Sequence, residues 1–127
     1  MTSPTPSVPL SIILFAHGSR DPLWKLPIEA VAHRIRAQQP DVPVTCAYLE
    51  LTTPDLPSVA AQMIASGTLK IRIMPMFLGV GRHAREDLPV LVAQLEQDHP
   101  QVAFELQSAV GENPSLIDLM AQIALAP

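Results

Sequence analysis

Residues Leu10–Ala16 have the sequence LSIILFA, which is apolar at every position except Ser11 and is the clearest strand signal in the chain. A run of this length and composition is typical of a strand covered on both faces, as in a parallel sheet. Three further strand-like runs follow it, at residues 42–49, 68–77 and 102–106. The last run is less apolar and more alternating, which predicts a strand at the edge of the sheet.

Helical periodicity fills the segments between and after these runs. Thr53 before Pro54, and Asn113 before Pro114, have the pattern of a capping residue and a first-turn proline, and they predict the starts of the second and fourth helices. Apolar residues recur at i, i+3, i+4 and i+7 in four places, which predicts four amphipathic helices. The four stripes are Ile28, Val31, Ala32 and Ile35; Leu56, Val59, Ala60 and Met63; Leu88, Leu91, Val92 and Leu95; and Leu116, Leu119, Met120 and Ile123.

Strands and helices therefore alternate along the chain, and this order predicts a parallel sheet with right-handed crossovers. The predicted fold class is α/β, a three-layer sandwich of a four-stranded parallel sheet with helices on both faces. A strand order of 2-1-3-4 places the first and third strands side by side, about 4.8 Å apart. Ligands of such sheets bind beyond the carboxyl ends of the strands, near the change in strand order. The residues that follow these strands are therefore the candidates for function.

Length and composition limit the classes of protein that fit. With 127 residues, 48% of them apolar, the chain predicts one globular domain at residues 10–127, preceded by a flexible tail at residues 1–9. A net charge of −4 argues against a nucleic-acid partner, which requires a basic face. The single cysteine, Cys46, excludes an internal disulfide or a Cys-rich metal site. No segment resembles a signal peptide or a membrane span, so we expect a cytoplasmic protein.

Polar residues follow each of the first three strands. His17 directly follows the first strand, Glu50 follows the second, and His83 lies in the segment after the third. Imidazole is the commonest protein ligand of borderline divalent metals and also accepts protons near neutral pH. Two histidines and a carboxylate suit cobalt, nickel, iron or zinc better than magnesium or calcium. Two structural alternatives remain open: His17 is a turn residue with a satisfied ring, or His83 is bonded to a carboxylate such as Asp87.

Three sequence motifs together resemble one family. Residues 16–22 (AHGSRDP), 47–50 (AYLE) and 75–89 (PMFLGVGRHAREDLP) resemble the class II tetrapyrrole chelatases, and most closely the short, single-domain sirohydrochlorin cobaltochelatases (CbiX-like). The resemblance extends from residue 10 to residue 123. It implies a flavodoxin-like, chelatase-like fold and the insertion of cobalt, nickel or ferrous iron into a sirohydrochlorin-type tetrapyrrole. The divalent metal is then a substrate, and no organic cofactor is implied.

The resemblance also implies roles for individual residues. The family's two metal-handling histidines match His17 and His83, which we expect to bind the metal and accept pyrrole protons. Glu50 matches the family's acidic residue and is expected to neutralise the metal's charge or relay protons, while Asp87 is expected to orient His83. Residues expected to hold the substrate are Ser19, Arg20, Arg82 and Arg85, beside an apolar wall of Trp24, Phe77 and Leu78.

A homodimer is implied as well. Family members with two such domains in one chain form a cleft between their halves, and two copies of a single domain can rebuild this cleft around a twofold axis. Two other functions remain open at this point. One is a non-catalytic metal or tetrapyrrole carrier that uses the same site, and the other is a flavodoxin-like signalling domain with incidental histidines.

Overall fold

Four parallel strands form one sheet in the order that the sequence predicts. The computed structural model describes residues 9–127 and contains β1 (Leu10–Ala16), β2 (Val44–Tyr48), β3 (Lys70–Pro75) and β4 (Ala103–Leu106) in the order β2-β1-β3-β4. The predicted tail lies outside the described residues except for Pro9. Strand β1 pairs with both β2 and β3, so that Leu14 is opposite Cys46 on one side and Met74 on the other. Strand β4 is at the edge, as expected.

Four α-helices occupy the predicted positions: α1 (Leu26–Gln38), α2 (Leu56–Ala65), α3 (Arg82–Asp98) and α4 (Pro114–Leu125), with a 3-10 turn at Val110–Glu112. Asn113 caps α4 as predicted, because its side chain accepts a hydrogen bond from the Ser115 N–H. Within residues 9–127, no helix is both long and apolar enough to cross a membrane.

The predicted start of α2 is wrong. Asp55, rather than Thr53, is the capping residue, since its carboxylate accepts the Ser58 N–H at 2.8 Å and the helix begins at Leu56. The Pro54 carbonyl accepts a hydrogen bond from the Tyr48 N–H at 3.0 Å. The chain at Thr53 and Pro54 is therefore still tied to the end of β2, and the helix starts only after it.

The core lies on both faces of the sheet. Helices α2 and α3 pack against Ile13 and Phe15, whereas α1 packs against Leu14 and Ala16. Successive side chains of a strand point to opposite faces, so burial on both sides explains why β1 is apolar almost throughout. Cys46 lies in the α1 layer as a buried core residue.

Helix α4 differs from the other helices because none of its residues is buried. Its exposed apolar residues have between 48% and 85% of their surface accessible; they are Ile117, Leu119, Ile123 and Leu125. On the sheet face that carries α1, side chains of β3 and β4 are only half-buried, among them Arg72, Met74 and Glu105. A single copy of the chain thus leaves two surfaces partly uncovered.

Candidate functional site

The ends of β1 and β2 bring His17 and Glu50 together. Their Nε2 and Oε1 atoms are 3.2 Å apart, and both side chains are just over half exposed. Two ligands that lie about 2.1 Å from one divalent ion, at tetrahedral to octahedral angles, are themselves about 3.0–3.4 Å apart. The two side chains are hydrogen-bonded to each other in the structure, and their separation is also that of two ligands of one metal ion. Solvent can reach both groups.

The backbone beside this pair is tightly joined. The Glu50 N–H donates to the His17 carbonyl at 3.0 Å, and the Leu49 N–H donates to the Ala16 carbonyl at 2.9 Å. Gly18 has a φ of 108°, and a Cβ atom at this position would overlap the Glu50 carbonyl oxygen. Only glycine fits this conformation and this contact. The His-Gly dipeptide is therefore required by the approach of the two loops.

An aromatic ring borders the His17 side chain. The centroids of the Phe77 and His17 rings are 6.4 Å apart in an edge-to-face arrangement, and Phe77 packs in the same manner on buried Phe15. Leu78, next to Phe77, is 67% exposed. Trp24 instead packs against Tyr48, with ring centroids 6.1 Å apart. Of the three predicted wall residues, Phe77 is the one in contact with a predicted metal-binding side chain.

His83 lies in the first turn of α3 and is exposed. Asp87 follows one helical turn later, so both residues lie on the same side of the helix. Among residues 9–127, the structure shows no hydrogen bond from His83 to Asp87, His17 or Glu50, and no set of three metal-binding side chains comes together. The structure therefore joins His17 with Glu50, while the roles of His83 and Asp87 remain predictions.

The predicted substrate-binding residues differ in whether their side chains already have a bonding partner. Arg82 donates to the Glu86 carboxylate at 3.0 Å on the surface of α3. Ser19 accepts a hydrogen bond from the Asp21 N–H through its hydroxyl group. Arg20 and Arg85 are exposed, and neither takes part in an ion pair with another residue of the described range. Arg20 and Arg85 are therefore the two predicted substrate-binding arginines without an ion-pair partner in the described range.

Two titratable groups lie beneath the site and remain neutral at physiological pH. Burial raises the pKa of Tyr48 to about 12, and it also raises the pKa of the Cys46 thiol. A buried, protonated thiol is a poor nucleophile and a poor metal ligand. Neither group is therefore suited to chemistry at this site.

Sequence reasoning missed one residue of the site, Thr52. Its hydroxyl accepts the Ser19 N–H at 3.0 Å and donates to the Ser19 carbonyl at 2.8 Å. The partner lies 33 positions earlier in the chain, and no local pattern in the sequence indicates this contact.

Comparison with known proteins agrees with this fold. A sequence profile described as CbiX matches residues 11–125. The chain belongs to the CbiX family. This CbiX-family protein is 33% identical to the sirohydrochlorin cobaltochelatase of Methanococcus aeolicus over 68% of its own length and 60% of that protein. It is 26% identical to the enzyme of the same name from Methanococcoides burtonii, over 91% of this chain and 95% of that one.

Solved structures show the same fold. A CbiX protein from Marinobacter aquaeolei is 32% identical and superimposes with a TM-score of 0.80, over 91% of this chain and 94% of that chain. The sirohydrochlorin chelatase SirB of Bacillus subtilis, solved with cobalt, is 19% identical with a TM-score of 0.75. That match covers 92% of this CbiX-family chain and 51% of SirB. At this identity, the SirB likeness shows the fold alone.

Proposed function

We propose that this CbiX-family protein is a class II chelatase that inserts a divalent metal into sirohydrochlorin. The proposal rests on the His17–Glu50 pair at the carboxyl ends of β1 and β2, whose Nε2 and Oε1 atoms are 3.2 Å apart. The names of its relatives support the same substrate, since the match to Methanococcoides burtonii extends over nearly the whole of both chains.

The chemistry requires a weak metal site with a proton acceptor. A chelatase must deliver a partly dehydrated ion and remove two protons from the pyrrole nitrogens. Histidine suits both steps because neutral imidazole binds divalent metals and accepts protons near neutral pH. The pair of His17 and Glu50 has fewer ligands than a closed, tetrahedral zinc site. We assign His17 and His83 to metal binding and proton removal, and Glu50 to neutralising the charge of the ion.

The macrocycle requires an apolar surface and cationic groups at its rim. Phe77 presents its ring beside His17, and exposed Leu78 extends this surface. Sirohydrochlorin carries carboxylates, which arginine binds through paired hydrogen bonds. Arg20 and Arg85 are free to make such contacts, whereas Arg82 must first leave Glu86. Ser19 is a weaker candidate because its hydroxyl is already an acceptor within its own loop.

The metal is a substrate of this reaction, and the donor set accepts several ions. Imidazole and carboxylate bind cobalt, nickel and ferrous iron, with affinities that follow the chemistry of the ion more than that of the protein. Relatives carry the names sirohydrochlorin cobaltochelatase and, in Arabidopsis thaliana, sirohydrochlorin ferrochelatase. Cobalt and ferrous iron are therefore the first ions to test, followed by nickel.

A homodimer accounts for the two surfaces that one copy leaves uncovered. One copy leaves both the apolar stripe of α4 and the β3–β4 half of one sheet face partly uncovered, and a second copy can cover them around a twofold axis. Ile123→Asp should therefore shift the protein toward the monomer in sedimentation velocity. Gln122→Asp, on the polar side of the same helix, is the matched control. A monomeric wild type at micromolar concentration would contradict the dimer.

The test of the function is an anaerobic absorbance assay with sirohydrochlorin and cobalt, ferrous iron or nickel, each compared with a reaction without protein. We expect insertion above the uncatalysed rate with at least one ion. Binding of sirohydrochlorin without faster insertion would instead support the carrier, and no binding at all would contradict both functions.

A further inference from the structure

One side chain joins the two loops that carry His17 and Glu50. The Thr52 hydroxyl accepts the Ser19 N–H at 3.0 Å and donates to the Ser19 carbonyl at 2.8 Å. A single hydroxyl thus satisfies both backbone groups of a residue in the β1–α1 loop. Both residues are half-buried, so these hydrogen bonds are partly shielded from water.

The backbone before Thr52 adopts a rare conformation. The Thr52 N–H donates to the Glu50 carbonyl at 2.7 Å, and Leu51 between them has a φ of 63°. This is a γ-turn with a positive central φ, which is strained for a residue other than glycine. Such a conformation persists only where its surroundings hold it in place. The Leu51 side chain is 56% exposed, so hydrogen bonds rather than packing of Leu51 hold the turn. These are the bonds from Thr52 to Ser19 on one side and the bond from Tyr48 to Pro54 on the other.

These contacts link the loop after β1 to the loop after β2 at three points. The Glu50 N–H bonds to the His17 carbonyl at one end, and Thr52 bonds to Ser19 at the other. Between them, Gly18 lies directly against the Glu50 carbonyl. The His17 and Glu50 side chains are each just over half exposed, so packing alone does not fix their 3.2 Å separation. These contacts restrain the backbone on both sides of the pair.

We propose that Thr52 is a positioning residue that holds His17 and Glu50 at the spacing for one metal ion. The proposal rests on the chelatase function. Without the hydroxyl, the Leu51 turn relaxes and the two loops separate at the Ser19 end. His17 and Glu50 then no longer share an ion with the same geometry. Small displacements of this kind reduce the rate of the chemical step.

The test compares three variants in the full chain. Thr52→Val removes the hydroxyl, Thr52→Ser keeps it, and Thr53→Val is a control at the neighbouring exposed threonine. We expect kcat for cobalt insertion to fall roughly tenfold in Thr52→Val, with the KM for sirohydrochlorin unchanged. Thr52→Ser and Thr53→Val should stay near wild type. The Ser19 amide should exchange with solvent faster in Thr52→Val alone. If Thr52→Val does not fold, Thr52→Ala, which removes the same hydroxyl, takes its place.

Two results would overturn the proposal while leaving the chelatase function intact: a Thr52→Val kcat equal to that of an active wild type, or an equal loss of activity in Thr52→Ser. Wild type that inserts no metal would instead contradict the proposed function. In that case, Co²⁺ titration decides the role of Thr52. Roughly tenfold weaker Co²⁺ binding by Thr52→Val supports it, and an unchanged Kd overturns it.

Discussion

The substitution Glu50→Gln separates a metal-binding role of this carboxylate from a structural one. Its only side-chain partner in the described part of the chain is His17, and both groups are just over half exposed. Exposed pairs of this kind contribute about 0.2–1 kcal/mol to folding, so the free energy of unfolding should fall by no more than about 1 kcal/mol. Even at about 4 Å, farther than the roughly 2.1 Å of a direct ligand, a divalent cation screened as in bulk water gains about 2 kcal/mol from a carboxylate charge. The Kd for Co²⁺ should therefore rise about thirtyfold.

Two measurements on the same protein test this prediction: titration with Co²⁺, followed by calorimetry or absorbance, and unfolding in urea. Glu96→Gln removes an equal charge from an exposed position later in α3 and controls for the net charge of the protein. Equal Co²⁺ binding by Glu50→Gln and Glu96→Gln would contradict a metal-binding role for Glu50. A loss of several kcal/mol of stability in Glu50→Gln would also contradict it, because the pair would then be structural.

Two further predictions concern the loops around the site. Gly18→Ala places a Cβ against the Glu50 carbonyl oxygen at a φ of 108°. We therefore expect the free energy of unfolding in urea to fall by about 1–3 kcal/mol and Co²⁺ binding to weaken. Stability and Co²⁺ binding equal to wild type would contradict the close approach of Gly18 to Glu50. Hydrogen bonds from Ser58 hold the pKa of Asp55 below its usual value of 3.8. The charged cap therefore stabilises the folded protein above about pH 4. This stability is lost as the pH falls through the lower folded-state pKa. Asp55→Asn caps the helix without titrating, so the difference in unfolding free energy between wild type and variant should change between pH 2 and pH 5, and a constant difference would contradict this assignment.

The sequence predicts the fold well because its signals are local. The apolar run of β1 and the helical stripes each report on burial of the residues that carry them, and alternation of the elements fixes the parallel topology. The predicted start of α2 is wrong for a related reason: Thr53 and Asp55 are both good capping residues, Thr53 directly before Pro54 and Asp55 two positions before Pro57. The hydrogen bond from Tyr48 to Pro54 decides between them, and that contact is not visible in the local sequence.

The site is predicted only in part. Strand order and strand ends are sufficient to bring His17 and Glu50 to the same edge of the sheet, and the structure places them 3.2 Å apart. His83 lies on a helix that begins beyond β3, so its position depends on the connecting loop rather than on the register of the sheet. Thr52 acts through a contact across 33 residues, and only the folded chain reveals such a contact.

The central claim is that His17 and His83 serve metal insertion into sirohydrochlorin. The most direct measurement is the initial rate of cobalt insertion by wild type, His17→Ala, His83→Ala and His33→Ala under anaerobic conditions, each corrected for the uncatalysed rate. His33 is exposed on α1, outside the candidate site, and is the matched control. We predict that wild type and His33→Ala insert cobalt at the same rate and that His17→Ala and His83→Ala lose at least a hundredfold, in the range typical for removing a general base. Equal rates for all four proteins would contradict the account.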